Sequence, residues 1–275
     1  MQTEDAQTAG LMARNLVAYY SGKTQEAVLR DRELYAGEET CQKVEEATQR
    51  LLSGEPLPYV LGEWEFYGLN LYVDRNVLIP RDDTCAVGGL AVNQAIFLPT
   101  DPRVLDLCTG SGCIGLAIAS RIKDARVTLA DISKDALAVA KKNIGLNKLS
   151  GRVTCVQADA LGPAPTFLGK FDMIVSNPPY ITGPEMAELP DSVKNFEPHL
   201  ALFGGRDGLD FYRSIAENYT KALKPGGYLA FEFGMGQGDD ICAILKEHGY
   251  TILERTKDFN DRERAVLAQY GRKED

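Results

Sequence analysis

The chain beyond residue 100 alternates between continuous apolar runs and longer amphipathic stretches. The runs are rich in β-branched and aliphatic residues, which is typical of buried strands. In the longer stretches the apolar residues recur every three to four positions, which predicts helices. This alternation predicts a parallel sheet with right-handed crossovers. The predicted strands are 103–108, 126–132, 153–159, 171–177, 226–234, 251–257 and 263–270, and the predicted helices are 112–123, 134–147, 208–223 and 236–248. Too few residues separate the last two strands for a helical crossover, so one strand should run antiparallel.

The N-terminal part of the chain has a helical period instead. Apolar residues recur every three to four positions between residues 5 and 53, and Gly22 and Gly37 divide this stretch into three segments. Short isolated helices are marginal in water, so the segments should pack as a small bundle. Residues 64–73 alternate like a β-hairpin with its turn at Gly68-Leu69. We predict a helical domain at 1–60, a hairpin connector at 61–84 and an α/β domain at 85–275.

Composition and charge limit the classes of function. Of the 275 residues, 44% are apolar and 25% charged, which is ordinary for a globular protein. The net charge of −9 argues against a surface that grips bare nucleic acid. Six cysteines without a Cys-x-x-Cys pair, together with two histidines, indicate reduced thiols and no metal site. Without a signal peptide or a long apolar run, the chain is expected in the cytoplasm and away from membranes.

The negative charge is concentrated towards the N-terminus. Residues 1–75 contain 7 basic and 13 acidic side chains, a balance of −6. Such a region can be no more than a solvated face. The alternative is a docking surface for a basic protein partner.

A glycine-rich turn follows the first strand of the alternating region. Gly110, Gly112 and Gly115 satisfy the pattern G-x-G-x-x-G. Asp131 ends the next strand about twenty residues further on, the spacing at which a carboxylate meets ribose hydroxyls. A nucleoside-bearing cofactor is therefore predicted, although glycines can also serve only to pack a helix on a strand. A dinucleotide stays possible, but Asp106 just before the turn favours a ligand with an ammonium group, which indicates S-adenosylmethionine.

Three further segments carry candidate chemistry. Asp159 closes the third strand, where it could accept from the exocyclic amine of adenine or simply form a turn. The loop with Arg81 and Thr84 could begin a helix or hold a polar ligand. Asn177-Pro178-Pro179-Tyr180 follows a buried strand and combines an amide acceptor, stiff carbonyl acceptors and an aromatic ring. This last segment is either a rigid turn or a clamp for a flat NH2 group.

Together these motifs resemble a class I S-adenosylmethionine methyltransferase, specifically the HemK/PrmC family that methylates a glutamine of peptide chain release factors. The resemblance covers residues 54–270. It is carried by residues 55–59, 62–67, 78–84, 106–115, 176–181, 196–198, 201–209, 232–234 and 236–238. Cys85 and Cys108 stand where the family usually has an acidic residue and a glycine. The helical region before Gly54 is short and poorly matched, so the resemblance says less about the partner than about the chemistry.

The family resemblance implies a Rossmann-like seven-stranded sheet, mostly parallel with one antiparallel strand, and assigns cofactor contacts. The loop around the methionine part of S-adenosylmethionine would consist of Cys108, Thr109, Gly110, Ser111 and Gly112. Asp131 would bind the ribose, and Asp159 with Ala160 would meet the adenine edge. Asn177 would touch both the cofactor and the substrate. No metal is implied.

The resemblance also assigns substrate contacts. Asn177, Pro178, Pro179 and Tyr180 would clamp the glutamine amide, with residues 197–207 as a lid. The Asn177 side-chain oxygen and the Pro178 carbonyl would each accept one amide N–H, and Tyr180 would pack against the amide plane. The implied partner is the Gly-Gly-Gln loop of a release factor, and the protein is expected to be a monomer.

The same clamp would suit an adenine-N6 DNA or RNA methyltransferase, which is the alternative enzyme. That class should add a basic, aromatic recognition region and a means of flipping a base, and the sequence contains no such insertion. A protein that binds the cofactor without turnover is a third hypothesis. An NAD-dependent dehydrogenase would match the glycines but neither Asp106 nor the clamp.

Overall fold

A seven-stranded sheet forms the centre of the protein in a computed structural model that describes residues 6–271. The nine strands are β1 Glu63–Phe66, β2 Leu69–Tyr72, β3 Arg103–Leu107, β4 Arg126–Asp131, β5 Val153–Gln157, β6 Phe171–Ser176, β7 Leu223–Glu232, β8 Tyr250–Lys257 and β9 Glu263–Tyr270. The large sheet has the order β5-β4-β3-β6-β7-β9-β8. Strands β3 to β7 pair in parallel, and β9 is antiparallel to both β7 and β8. The predicted Rossmann-like α/β sheet with one antiparallel strand is confirmed.

Helices cover both faces of this sheet. The helices within residues 6–271 are α1 Ala6–Ser21, α2 Gln25–Arg30, α3 Glu38–Leu52, α4 Leu57–Leu61, α5 Cys85–Ala95, α6 Cys113–Arg121, α7 Lys134–Leu146, α8 Gly183–Glu188, α9 Asp191–Lys194, α10 Asp210–Ser214 and α11 Gly238–Glu247, and those packed on the sheet are α5, α6, α7, α10 and α11. Successive strand residues point to opposite faces, so Val104 packs in a core cluster with α5 and α6, whereas Leu105 packs in a second cluster with α10 and α11. Burial on both faces explains the continuous apolar runs of the strands.

The N-terminal helices are a small bundle, as their spacing predicts. Leu16, Ala47 and Val60 are buried together between α1, α3 and α4. Gly22 with φ +65° follows α1, and Gly37 precedes the first turn of α3. Both glycines therefore interrupt the helical stretch where the sequence places its breaks.

Two predicted details are wrong. Phe66 pairs with Leu69, so the hairpin turns at Tyr67-Gly68 rather than at Gly68-Leu69. Both turn residues have positive φ, 55° and 78°, which a tight hairpin whose twist matches its strands requires. The predicted helix 208–223 is α10 followed by a π-helical segment, Ile215–Tyr219, and a 3₁₀ turn. Strand β7 accordingly begins at Leu223, and residues 224–227 form an irregularity in its pairing with β6.

The strand order places a crevice at one edge of the sheet. From β3 the chain moves to one side through β4 and β5, and from β6 it moves to the other side. The order therefore reverses between β3 and β6, and open α/β sheets bind ligands outside the carboxyl ends of strands at such a point. Within residues 6–271, no helix is long and apolar enough to cross a membrane.

Candidate active site

A cleft of about 1000 Å³, its open mouth included, lies at this reversal point. The residues singled out from the sequence that line it are Thr84, Cys108, Thr109, Gly110, Ser111, Asp131, Asp159, Ala160, Asn177 and Pro179. Gly112, Pro178 and Tyr180 lie in the same two loops but do not line the cleft. The fold thus brings the glycine-rich turn and the Asn-Pro-Pro-Tyr segment to one crevice. Nowhere in the part of the chain that the structure describes do three or more His, Cys, Asp or Glu side chains form a metal-binding group.

The glycine-rich loop is held from beneath by Asp106. This carboxyl group is 1% exposed, and its Oδ2 accepts from the Thr109 hydroxyl at 2.6 Å and from the Gly115 N–H at 2.8 Å. Burial raises the pKa of Asp106 to about 7. A Cβ on Gly115 would lie 2.3 Å from a methyl of Leu129, so only glycine lets α6 pack this closely. Asp106 does not line the cleft, although its charge was expected to face a cationic ligand.

Asp131 is fixed by backbone donors at the end of β4. Its Oδ2 accepts from the Gly110 N–H and its Oδ1 from the Ser133 N–H, both at 2.9 Å. Each carboxylate oxygen keeps a further lone pair, which suits a pair of neighbouring hydroxyl groups. Burial raises the pKa of Asp131, and the two backbone N–H groups partly offset this rise. Asp131 is therefore a preorganised acceptor at the cleft.

Asp159 both forms a turn and lies at the cleft, the two roles that the sequence left open. Its Oδ1 accepts from the Leu161 N–H at 2.9 Å, as in a turn, yet Asp159 and Ala160 also line the cleft. Beside them are two apolar side chains that the sequence did not single out, Ile132 and Leu161, which are 43% and 50% exposed. An apolar wall next to a carboxylate suits a flat heterocycle with an exocyclic amine.

The glycine loop contains a departure from the family pattern. Cys108 has φ +60°, the left-handed region that costs a non-glycine residue roughly 1–2 kcal/mol. Glycine would adopt this conformation without that cost. Desolvation also raises the pKa of the Cys108 thiol well above its usual range, which favours the neutral thiol over the nucleophilic thiolate at neutral pH.

Asn177 emerges from β6 towards the cleft. Its Nδ2 donates to the Thr84 hydroxyl at 3.4 Å, whereas its Oδ1 has no partner among residues 6–271. The amide therefore presents its acceptor atom to the cleft. The Tyr180 ring instead packs beside Gly234 and the core cluster under β7, and burial raises its pKa.

The segment after Asn177 is bound to the loop that follows it. The Ile181 N–H donates to the Leu202 carbonyl, and the Gly204 N–H donates to the Ile181 carbonyl, both at 2.9 Å. A Cβ on Gly204 would lie 2.5 Å from the Tyr180 Cα, so the two backbones touch. The Gln237 amide also donates to the Tyr180 carbonyl at 3.1 Å. These contacts make the clamp rigid.

The expected lid is anchored by a buried carboxylate. Glu197 is 4% exposed, forms an ion pair with Arg81 and accepts from the Ile79 N–H at 3.2 Å. Next to it, the Phe196 ring stacks on the Arg75 guanidinium at 4.9 Å. The sequence left open whether Arg81 and Thr84 begin a helix or hold a polar ligand. In the structure Arg81 holds the expected lid through Glu197, and Thr84 lines the cleft.

Fold and cleft define a class I methyltransferase, and comparison with known proteins specifies the family. Residues 90–192 match the family model "Methyltransferase small domain", and residues 2–62 match "PrmC N-terminal domain". The release factor glutamine methyltransferase of Clostridium acetobutylicum is 41% identical over 257 residues, covering 93% of this chain and 90% of that protein. The enzyme of the same name from Thermodesulfovibrio yellowstonii is 37% identical, covering 84% and 82%. The chain belongs to the release factor glutamine methyltransferase family.

Solved structures agree on the fold. A methyltransferase from Pyrococcus furiosus superposes with a TM-score of 0.54 at 18% identity, covering 82% of this chain and 99% of that one. The human Mettl16 catalytic domain, solved with an RNA hairpin, gives 0.59 at 17% identity, covering 76% and 77%. Residues 2–62 match the family's N-terminal domain, so the prediction that the helical region is poorly matched to the family is wrong. A helical bundle constrains mainly the spacing of a few apolar positions, which leaves little motif to recognise in one sequence.

Proposed function

We propose that this protein transfers the methyl group of S-adenosylmethionine to the side-chain amide nitrogen of the glutamine in the Gly-Gly-Gln loop of a release factor. The observation that carries the proposal is the orientation of Asn177, whose Nδ2 is held by Thr84 and whose Oδ1 is left to the cleft. A glutamine amide offers two N–H donors on a planar group, and a fixed acceptor matches one of them. Relatives named release factor glutamine methyltransferase support the choice of substrate.

The cleft fits S-adenosylmethionine in the chemistry of its groups. Asp131 would accept from the two ribose hydroxyls, and Ile132 and Leu161 would cover the faces of the adenine beside Asp159. The loop from Cys108 to Gly112 would surround the methionine part. When bound, the cofactor supplies a methyl group activated by a sulfonium and a neutral leaving group.

The residues of the clamp would orient and polarise the substrate amide. Its nitrogen is a poor nucleophile because the lone pair is delocalised into the carbonyl. We propose that the Asn177 Oδ1 and the Pro178 carbonyl each accept one N–H, which aims the nitrogen and stabilises the positive charge that grows on it. Pro179 lines the cleft with Asn177, and Tyr180, packed at Gly234, would support the clamp from behind. Restricting the amide to one orientation contributes to the rate as a gain in effective concentration.

Transfer of a radiolabelled methyl group tests this function. The enzyme is incubated with labelled S-adenosylmethionine and either a release factor, the same factor with its loop glutamine changed to alanine, or adenine-containing oligonucleotides. We expect label only in the unaltered release factor. Label in the oligonucleotides would instead support the adenine-N6 alternative, which the net charge of −9 disfavours.

The proposed substrate also sets the expected surroundings of the enzyme. Release factors act on ribosomes, so we place the protein in the cytoplasm as a monomer that meets its partner directly. The acidic N-terminal bundle is then a candidate surface for that partner. No membrane and no bare nucleic acid is needed for the proposed reaction.

A further inference from the structure

Glu232 lies next to Asn177 at the carboxyl edge of the sheet. Strands β6 and β7 pair in parallel with Ser176 opposite Phe231, so the next residues, Asn177 and Glu232, lie side by side at the carboxyl ends of the two strands. Glu232 is 2% exposed, and its Oε2 has no hydrogen-bond partner within the described part of the chain. A buried carboxyl group without full pairing costs stability, so its presence beside the clamp calls for a functional reason.

Thr84 connects the two groups. Its side chain is 2% exposed, its hydroxyl oxygen accepts from the Asn177 Nδ2 at 3.4 Å, and both it and the Asn177 side chain lie close enough to the Glu232 carboxyl group to lower its pKa. A hydroxyl has one proton to donate, and a carboxylate can only accept. When Glu232 is ionised, its charge attracts the Thr84 proton, which leaves the Thr84 oxygen to accept from Asn177.

We propose that Glu232 and Thr84 are positioning residues that fix the polarity of the Asn177 amide, so that its Oδ1 always faces the substrate. This inference rests on the proposed function, because it gives that acceptor atom its purpose. We call the chain of contacts from Glu232 through Thr84 to Asn177 the relay. Without it, the Asn177 amide could turn over and present its NH2 group to the substrate NH2, and the two donors would repel each other. The carboxylate also adds negative charge behind the clamp, which favours a substrate nitrogen that becomes positive.

The turn that carries Thr84 is itself fastened to the sheet. The Arg264 guanidinium on β9 pairs with Asp83 and with Asp258, each at 3.0 Å. The positive charge of Arg264 lowers the pKa of Glu232, whereas the negative charge of Asp83 raises it. The titratable or charged groups that face Glu232 from its neighbouring elements are Asp83, Cys85, Cys113, Tyr180, Tyr212 and Arg264. These ion pairs hold the Thr84 turn in a fixed position beside Glu232.

A pair of substitutions at Thr84 tests the relay through turnover. Thr84→Val keeps the shape and removes the hydroxyl, so kcat for release factor methylation should fall roughly tenfold or more, while Thr84→Ser should restore it. The cofactor Kd should stay within about threefold in both variants. Asp172→Asn is the matched control, because Asp172 is a buried carboxylate at the opposite end of β6, paired with Lys224 at 2.7 Å. It should leave kcat unchanged. An equal loss of kcat in Asp172→Asn, or full turnover in Thr84→Val, would overturn the proposal.

A spectroscopic measurement tests the relay independently of the substrate. The side-chain NH2 resonances of Asn177 can be assigned by their loss in Asn177→Ala. In the wild-type protein they should shift as Glu232 titrates, and in Glu232→Gln this shift should vanish. Identical Asn177 resonances in both proteins at every pH would refute the relay, whether or not the enzyme methylates a release factor. A lack of release factor methylation by the wild-type enzyme would refute only the proposed function.

Discussion

Removing the charge of Glu232 should stabilise the protein, and more so at high pH. Burial raises the pKa of this carboxyl group from 4.5 to about 7, since its interactions with Thr84, Arg264 and Asn177 offset desolvation only in part. A raised pKa in the folded state means that ionisation favours the unfolded chain. The free energy of unfolding that is lost because Glu232 ionises is zero below the pKa of the unfolded chain. It grows as the pH rises towards 7 and is constant above pH 7. For these values it amounts to about 1 kcal/mol at pH 5 and about 3 kcal/mol at pH 8.

Glu232→Gln removes this cost because an amide stays neutral. The free energy of unfolding from urea titrations should exceed that of the wild type by about 2 kcal/mol more at pH 8 than at pH 5. Glu247→Gln, on the exposed face of α11, is the control for the loss of one carboxyl charge at the surface. If the difference between Glu232→Gln and wild type does not change with pH, Glu232 is not a buried acid with a raised pKa.

Three further outcomes are expected. Asn177→Ala should lower methyl transfer about a hundredfold, since it removes an acceptor for the reacting amide, with little change in the calorimetric cofactor Kd; comparable turnover would contradict the clamp. Asp131→Ala should weaken cofactor binding about tenfold or more in the same titration, and an unchanged Kd would remove Asp131 from the site. Gly115→Ala should lower the free energy of unfolding by about 1–3 kcal/mol, because its Cβ would meet Leu129 at 2.3 Å. Gly145→Ala, with open space around it, is the control that should not destabilise.

The sheet and the cleft could be predicted because their determinants are local. Buried parallel strands are continuous apolar runs, and the residues that follow them, such as Asp131 and Asn177, must emerge at one edge. The order in which strands alternate with helices was then enough to bring the glycine-rich turn and the clamp together. The differences are local: the hairpin turn shifts by one residue, the helix predicted over 208–223 is divided, and β7 begins at Leu223 instead of residue 226.

The roles of the buried carboxyl groups could not be predicted in the same way. Asp106 precedes the glycine-rich turn and has the charge to meet a cation, yet the close packing at Gly115 makes it a brace for the loop. Glu232 belongs to an apolar strand, and its significance depends on Thr84, which reaches it from another part of the chain. Such contacts depend on tertiary packing, which leaves no periodic signal in the sequence.

Mass spectrometry of a release factor after incubation with the enzyme and S-adenosylmethionine tests the central claim most directly. The account predicts a mass increase of one methyl group, located by fragmentation on the side-chain amide of the loop glutamine, and no increase with Asn177→Ala. A release factor of unchanged mass, or a methyl group on any other residue, would contradict it.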